Sequence, residues 1–229
     1  MVSHPSGALP AWRSVLVVVA HPDDESFGLG ALISSFVDHG AQVSVLCLTH
    51  GEASTLHGVQ GDLREVRERE LAAAARALGV SHVDLLDLPD GALDQVDVEE
   101  IARHVASSAE RVGADGVLAF DLEGVTGHPD HVRATAAAVL VGRRHDLDVL
   151  AWTVPAPLAA TLAQEFGADF RGHADVDLVV EVDRGRQLDA VRCHPSQAVP
   201  GSVLWRRLEL SGTREHLRWL HRTTVGSAQ

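Results

Sequence analysis

Short runs of apolar and β-branched residues recur along this 229-residue chain and alternate with longer segments of helical periodicity. The clearest run is Ser14–Ala20 (SVLVVVA), and similar runs cover Gln42–Leu48 and Gly116–Phe120. Continuous apolar runs are typical of parallel strands that are buried on both faces. Parallel strands need crossover connections, which are usually helices. The pattern therefore predicts an α/β fold with a doubly wound, mostly parallel, Rossmann-like sheet and helices on both faces.

The rest of the chain continues this alternation without an internal repeat, a low-complexity tract or a linker. Further strands are predicted over His82–Leu86, Leu147–Val154 and Val176–Val182. Helices are predicted over Phe27–His39 (with Ser26 as its cap), Asp62–Leu78, Val98–Val112, Pro129–Val141, Leu158–Gly167, Gly185–Cys193 and Thr213–Leu220, and Asp121–Gly127 is predicted to be a loop. A chain of this length can bury one good core, so residues 1–229 are predicted to form a single domain.

The charge balance and the cysteine content restrict the partners and the compartment. The formal charge is −13, whereas a nucleic-acid partner or an anionic membrane surface would require basic residues. Cys47 and Cys193 lie far apart and suit a reducing compartment. Residues 1–11 lack the features of a signal peptide, and no apolar run is long enough to span a bilayer. We therefore expect a cytoplasmic protein that binds a small molecule and neither nucleic acid nor a membrane. The sequence leaves the oligomeric state open, including a homo-oligomer.

The first predicted strand leads directly into an acidic motif, Ala20–Ser26 (AHPDDES). Ligands of open α/β sheets bind beyond the carboxyl ends of the strands, so these side chains indicate metal binding or acid–base chemistry. His21 and Asp24 are three residues apart across a turn and can converge on one ion. Asp23 then points to a different side and remains available as a base.

A second cluster, Gly127–His131 (GHPDH), follows the predicted strand Gly116–Phe120. Its histidines, His128 and His131, would share a face in the first turn of a helix. A catalytic zinc ion usually has three protein ligands and an open position for water. One histidine would complete that set, and the other would stand over the substrate carbonyl. Each motif alone also fits a turn or a capped helix start, with Pro129 at the first helical position, but the pair predicts one hydrolytic metal site.

Together these motifs resemble the PIG-L/LmbE-type family of zinc-dependent N-deacetylases, which act on N-acetylglucosaminyl inositols and on sugars in antibiotic biosynthesis. The resemblance covers most of the chain, and the paired AHPDDE and HPDH motifs are its specific part. Supporting matches are Thr49–Glu52, Arg67–Glu70, Ala77–Gly79, Leu88–Gly91 and His194–Gln197. The resemblance implies a hydrolase that removes the N-acetyl group from an N-acetylglucosamine-containing small molecule.

The resemblance also implies a metal site and a base. The zinc ligands would be His21, Asp24 and His131, and Asp23 would be the general base for the attacking water. Imidazole and carboxylate ligands also accept Fe²⁺ or Co²⁺ in similar geometry, so the ligand types alone do not fix the metal.

The remaining roles implied by the resemblance concern the substrate. His128 would polarise the amide carbonyl or protonate the leaving amine, and Asp130 would steady it. Arg67 matches an arginine that contacts the substrate beyond the acetyl group. Glu52 and Asp90 are further candidates for contacts with sugar hydroxyls.

One departure from the family pattern narrows the expected substrate. Thr126 lies in the loop before His128, where deacetylases of the mycothiol pathway place a catalytic tyrosine, and this chain contains no tyrosine. The departure leaves the core hydrolysis intact but argues against a mycothiol precursor. The membrane anchor of eukaryotic glycolipid members is also missing from this sequence, which argues against a glycolipid in a membrane.

Other functions remain open alongside deacetylation. An amidase could cleave a larger acyl or thiol-conjugate amide in the same site, a two-His-one-carboxylate set could hold Fe(II) in an oxygenase, and a sugar-binding domain could retain the motif without catalysis. Gly28–Gly30 does not open a dinucleotide fingerprint, because Ile33 occupies the position of its third glycine. His50 and His57 are predicted to be surface residues, and His194 a structural contact.

Overall fold

The computed structural model describes residues 7–54, 61–167 and 169–223, and its strands form one sheet. The strands are β1 (Ser14–Val19), β2 (Gln42–Cys47), β3 (His82–Leu85), β4 (Gly116–Phe120), β5 (Asp148–Pro155), β6 (Gly172–His173), β7 (Leu178–Glu181) and β8 (Arg214–His221). Their order is β3-β2-β1-β4-β5-β8-β7, and β6 pairs with β5. Strands β1 to β5 are parallel, and β8 is antiparallel to both β5 and β7. The predicted mostly parallel α/β fold is confirmed.

Helices cover both faces of this sheet. They are α1 (Asp24–Phe27), α2 (Gly30–Asp38), α3 (Leu63–Leu78), α4 (Val98–Val112), α5 (Gly124–Gly127), α6 (Pro129–His145), α7 (Ala156–Phe166), α8 (Gly185–Arg192) and α9 (Val203–Ser211). Helices α2, α3 and α8 pack together on one face, and α4 and α6 pack on the other. Among the described residues, no helix combines the length and the apolar character needed to cross a bilayer.

Strand β1 is buried on both faces of the sheet, which explains its continuous run of apolar residues. Val15, Val17 and Val19 belong to the core on the α2 and α3 face, whereas Leu16 and Val18 belong to the core on the α4 and α6 face. Successive side chains of a strand point to opposite faces. A strand covered on both sides therefore needs an apolar residue at every position.

One helix prediction is wrong, and a second is confirmed only in part. Thr213–Leu220 forms the strand β8, whose backbone pairs with β5 on one side and β7 on the other, and this pairing overrides the local helical periodicity. The segment Phe27–His39 is helical over most of its length, but α1 ends at Phe27 and α2 begins at Gly30. The chain becomes helical already at Asp24, directly after Asp23, whose φ is 114°. Ser26 consequently lies inside α1, where its hydroxyl donates to Glu25 and does not cap a helix.

Several short or late elements were missed at the sequence level, among them a 3₁₀ turn at Leu93–Gln95. Others are α9, the two-residue strand β6, and the helical turn α5 inside the predicted loop Asp121–Gly127. Short elements carry little periodicity, so a sequence pattern identifies them poorly.

The order of the strands determines where the two sequence motifs meet. Strands β1 and β4 are neighbours, and the connections that leave their carboxyl ends lead to opposite faces of the sheet. Such a reversal creates a crevice at which open α/β sheets bind ligands. Strand β1 delivers Ala20–Ser26 to this crevice, and β4 delivers the loop that ends at His128–His131.

Candidate active site

The side chains of His21, Asp24 and His131 meet at the crevice between β1 and β4. The Nε2 atom of His131 lies 3.2 Å from Nδ1 of His21 and 3.1 Å from one carboxylate oxygen of Asp24. The other oxygen of Asp24 lies 3.5 Å from Nδ1 of His21. The donor atoms of a tetrahedral zinc ion, with bonds of about 2.0–2.1 Å, are separated by about 3.4 Å. The spacing therefore suits one bound ion.

The outer nitrogen of each histidine contacts an acceptor from the protein. Nδ1 of His131 lies 3.1 Å from the carbonyl oxygen of Gly124, and Nε2 of His21 lies 3.1 Å from carboxylates of Asp90 and Asp130. Both outer nitrogens therefore carry the proton, and both inner nitrogens present lone pairs. Two lone pairs and a carboxylate at this separation repel one another unless a cation lies between them. The donor set thus fits a divalent ion, with its ligands oriented by hydrogen-bonded partners.

Electrostatics lead to the same conclusion. Burial alone would lower the pKa of His21, but its contacts with Asp130, Asp24 and Asp90 raise it to about 12. Burial also opposes the charged form of His131, yet Asp24 raises the pKa of that histidine above its ordinary value. The carboxylates therefore favour a positive charge at the inner nitrogens, which is an additional proton when no metal is bound and a cation when one displaces that proton.

The carboxylate of Asp130 contacts His21 and not His128, which corrects the partner expected from the resemblance. It is fully buried and accepts hydrogen bonds from the backbone N–H groups of Gly91 (2.7 Å) and Leu93 (3.0 Å) as well as from His21. Residues two positions apart on a helix do not face each other, so the side chain of Asp130 cannot steady that of His128.

His128 lies beside His21 and His131 as a neutral imidazole. Its ring centroid lies 4.9 Å from that of His21 and 5.0 Å from that of His131. Burial and the two neighbouring histidines lower the pKa of His128. Nδ1 accepts a hydrogen bond from the backbone N–H of Asp130 at 3.2 Å. The neutral ring therefore carries its proton on Nε2 and can donate it to a carbonyl oxygen.

Asp23 has the geometry and the acidity of a general base. Its φ of 114° lies in a region that few residues other than glycine adopt. Its backbone N–H donates to Glu25 at 2.9 Å, and its carboxylate accepts from Arg67 at 2.7 Å. Burial raises the pKa of Asp23 to about 6, although Arg67 opposes the shift. A carboxyl with a pKa near neutrality can take up a proton and release it during turnover.

A buried network beneath Asp23 holds this turn in place. Nε2 of His194 lies 2.7 Å from Glu25, and the contact keeps the pKa of His194 above its ordinary value despite the burial of both side chains. Ser196 donates its N–H and its hydroxyl to Glu70 at 3.0 and 2.6 Å. His194 is therefore a buried contact and not one of the metal donors. The parts played by Glu25 and Glu70 were not predicted from the sequence.

A polar cavity of about 330 Å³ lies in front of these groups. Its described lining contains the three converging donors, Asp23 and His128, together with Ala53, Ser54, Arg67, Asp90, Gly91 and Gln197. Ser54 and Gln197 were not singled out in the sequence, and the hydroxyl of Ser54 donates to the side-chain carbonyl of Gln197 at 3.0 Å. Gln197 ends the supporting match His194–Gln197 and Ser54 lies just after Thr49–Glu52, but neither was given a role, so their polarity was the only available signal.

Arg67 lines this cavity but directs its hydrogen bonds to the protein. Its side chain is 3% exposed, and its guanidinium donates to the carbonyl oxygens of Gly51 and Pro22 and to the carboxylate of Asp23. These contacts make Arg67 a positioning residue for Asp23. Its contact with substrate stays a prediction.

The loop that follows β2 departs from the sequence expectations at two positions. Glu52 is not among the described residues that line the polar cavity, and its carboxylate lies 3.8 Å from Arg64 on the hydrated outer side of the loop. This position gives the expected sugar contact of Glu52 no support, and the contact stays a prediction. His50 is buried beside Asp87 and is not a surface residue. His57 lies outside the described residues.

Comparison with known proteins identifies the family. The family model described as GlcNAc-PI de-N-acetylase (PIG-L) matches residues 16–141, a range that includes all the expected metal ligands. The chain belongs to the PIG-L family. The resemblance seen in the AHPDDE and HPDH motifs is thereby confirmed.

This PIG-L family member is similar to bacterial deacetylases. It is 35% identical over 158 residues to the 1D-myo-inositol 2-acetamido-2-deoxy-alpha-D-glucopyranoside deacetylase of Kineococcus radiotolerans, which covers 56% of this chain and 44% of that protein. It is 28% identical over 220 residues to the "Probable N-acetyl-alpha-D-glucosaminyl L-malate deacetylase 2" of Bacillus anthracis, which covers 92% of each chain. The chain thus spans less than half of the Kineococcus protein and most of the Bacillus protein.

The same fold is found in a solved structure. The crystal structure of the A40926 pseudoaglycone deacetylase matches this PIG-L family member with a TM-score of 0.71 at 19% identity. The match covers 90% of this chain and 96% of that one.

Proposed function

We propose that this PIG-L family member is a zinc-dependent N-deacetylase that hydrolyses the acetamide of an N-acetylglucosamine-containing small molecule. One observation carries the proposal: the donor set of His21, Asp24 and His131 faces the same polar cavity as the carboxylate of Asp23 and the imidazole of His128. The names of the relatives give further support, since one is a deacetylase of an inositol glucopyranoside and the other of N-acetylglucosaminyl malate.

The expected metal ligands are those whose donor atoms converge. His21, Asp24 and His131 would hold the ion. A bound zinc ion supplies a Lewis acid that polarises the amide carbonyl and lowers the pKa of water towards 7. Fe²⁺ and Co²⁺ suit the same ligand types.

The side chains around the ion divide the proton transfers between them. Asp23 accepts a proton from water while the water oxygen bonds to the carbonyl carbon. His128 donates a hydrogen bond from Nε2 to the carbonyl oxygen, on which negative charge develops. When the C–N bond breaks, the proton held by Asp23 passes to the departing nitrogen. One water molecule is consumed, and the products are acetate and the free amine.

The test is the release of primary amine by zinc-reconstituted protein. The panel consists of free N-acetylglucosamine and its inositol and malate glycosides, and we expect amine and acetate in equal amounts from at least one member. Binding of a sugar without release would indicate a sugar-binding domain. Oxygen consumption by the Fe(II)-loaded protein would indicate an oxygenase. Either result, with metal bound in the protein, would overturn the proposal.

Replacing Gly51 with alanine tests the positioning of Asp23 by Arg67. Gly51 has a φ of +67°, and an added Cβ would lie 2.1 Å from Nη1 of Arg67. The guanidinium must therefore leave the position from which it contacts Asp23. Misplacement of a catalytic group by about 1 Å can cost roughly 100-fold in rate, so we expect kcat to fall about 10- to 100-fold in Gly51→Ala.

Gly167→Ala is the matched control for this substitution. Gly167 has a φ of +66°, and among the described residues beyond its chain neighbours no atom lies within 4 Å of its added Cβ. Both variants carry the same left-handed strain of about 1–2 kcal/mol, but only Gly51→Ala displaces a side chain. Steady-state kinetics and urea unfolding of both proteins separate the two effects. Equal turnover in the two variants would show that Arg67 does not position the base.

A further inference from the structure

A second cavity, of about 170 Å³, lies beside the metal donors and is lined almost entirely by apolar side chains. We call it the apolar cavity. Its wall is formed mainly by Phe27, Phe120, Val125, Trp152, Phe170 and Leu204. The hydrolysis of an acetamide, as proposed above, does not account for a space of this size and character.

The apolar cavity and the polar cavity share the imidazole of His131. Nε2 of His131 points to Asp24. The ring of Phe120 packs edge-on against the imidazole ring of His131, with a centroid separation of 4.9 Å. The two cavities therefore meet at one of the converging donors, His131, whereas His21 and Asp24 line only the polar cavity. An amide held at those donors has two arms, the amino sugar and the acyl chain. The hydroxyl-rich arm fits the polar cavity, and the acyl arm fits the apolar one.

The loop that borders the apolar cavity is strained. Val125 has a φ of +63°, which is a genuine outlier for a β-branched residue, and its side chain is buried against the core. Its carbonyl oxygen accepts the backbone N–H of Arg171. Such strain persists where the surrounding structure enforces it, and it is concentrated at ligand sites. Thr126, the next residue, is exposed and also lines the apolar cavity.

The one charged group in the described wall of the apolar cavity is paired within the protein. The guanidinium of Arg207 lies 5.0 Å from the ring centroid of Trp152, contacts Glu215 at 3.4 Å and donates to the carbonyl oxygen of Phe27. Its charge is therefore balanced without a ligand. The cavity suits a neutral apolar group and not an anionic one.

The volume of the apolar cavity indicates the size of that group. An apolar cavity of about 150 Å³ is enough to bind benzene, so this space holds a group of about six carbons. An acetyl group would fill only a small part of it. Each buried methylene contributes about 0.8 kcal/mol, or roughly fourfold in binding.

We propose that the apolar cavity is an acyl-binding subsite, and that this enzyme hydrolyses amino-sugar amides with unbranched acyl groups of four to six carbons in preference to acetyl. The inference rests on the proposed amide hydrolysis and extends its substrate class. The same bonds are exchanged: water adds its oxygen to the acyl carbon, the C–N bond breaks, and a short-chain fatty acid leaves in place of acetate.

The test measures kcat/KM along an acyl series. Each glucosaminide of the panel above is prepared as its N-acetyl, N-butanoyl and N-hexanoyl derivative, and amine release is followed with the zinc-loaded protein. We expect kcat/KM to rise at least tenfold from acetyl to butanoyl. A decline from acetyl to butanoyl and hexanoyl would overturn the acyl subsite and leave the proposed function intact. No amine from any member would overturn the proposed function itself.

Two substitutions on α9 locate the effect in the apolar cavity. Leu204→Phe adds volume at its wall, whereas Leu208→Phe makes the same change one turn further along the helix, at a residue outside the described lining. The ratio of hexanoyl to acetyl kcat/KM is independent of the amount of folded enzyme. We expect this ratio to fall at least tenfold in Leu204→Phe and to stay within about twofold in Leu208→Phe. Equal ratios in the two variants would contradict the assignment of the apolar cavity as the acyl subsite. So would a change of kcat/KM in Leu204→Phe that depends on the aglycone and not on the acyl chain.

Discussion

Replacing Asp23 with asparagine is expected to lower kcat by about 10²- to 10⁴-fold. Asparagine has the same shape but cannot take a proton from water. It also tolerates positive φ as well as aspartate does, so the turn at φ 114° should persist. The expected loss therefore reports proton transfer and not folding. Amine release under saturating substrate, with the metal content measured in the same samples, provides the measurement.

Glu52→Gln is the control for the loss of a negative charge near the site. Its carboxylate lies outside the described cavity lining, 3.8 Å from Arg64, and surface substitutions of this kind usually change free energies by no more than about 0.5 kcal/mol. We expect turnover within about twofold of the wild type. Full activity in Asp23→Asn would assign the base to another group, and a large loss in Glu52→Gln would restore the sugar contact expected from the family pattern.

Removing one of the converging donors is expected to abolish stoichiometric metal binding. In His131→Ala, only His21 and Asp24 of the donor set remain, and two donors do not make the three-ligand site of a catalytic zinc. Isothermal titration with Zn²⁺, together with the metal content of purified protein, measures the effect. A variant that keeps one tightly bound zinc ion would show that the ion lies elsewhere.

Asp130→Asn is expected to have an intermediate effect on the same measurement. The buried carboxylate of Asp130 orients His21, and mutation of such outer partners typically costs about 10- to 100-fold in metal affinity. His128→Gln should reduce turnover and leave the affinity for zinc unchanged. If Asp130 acted through His128, the two variants would behave alike. Their separation therefore tests the hydrogen bonds described here.

The chemistry of the site could be recognised from the sequence to a large extent. Strands that are buried on both faces leave a continuous apolar signal, as in Ser14–Ala20, so the residues that follow them are placed at the carboxyl edge of the sheet without further information. The motifs AHPDDES and GHPDH follow two such strands. Their convergence depends only on the order of the central strands, which the fold class restricts to few arrangements.

Contacts that depend on the direction of a side chain or on pairing with a distant segment could not be predicted in this way. Which histidine Asp130 supports depends on the direction of its side chain in the first turn of α6, and Gly91 and Leu93 provide the hydrogen bonds that fix it. The strand β8 is a similar case, since its local pattern resembles a helix and its pairing partners lie far away in the sequence. Non-local pairing decided both outcomes.

The sequence by itself determined the fold class, the family and the set of side chains that meet at the crevice, because these depend on local periodicity and on residue types at fixed spacing. The tertiary structure decided how those side chains are used. It directs the guanidinium of Arg67 to the carboxylate of Asp23 and the carboxylate of Asp130 to the ring of His21. It leaves Glu52 outside the described lining of the polar cavity. It also created the apolar cavity, whose wall comes from segments between residues 27 and 207. A cavity is defined by side chains that approach through space, and no local pattern encodes its volume.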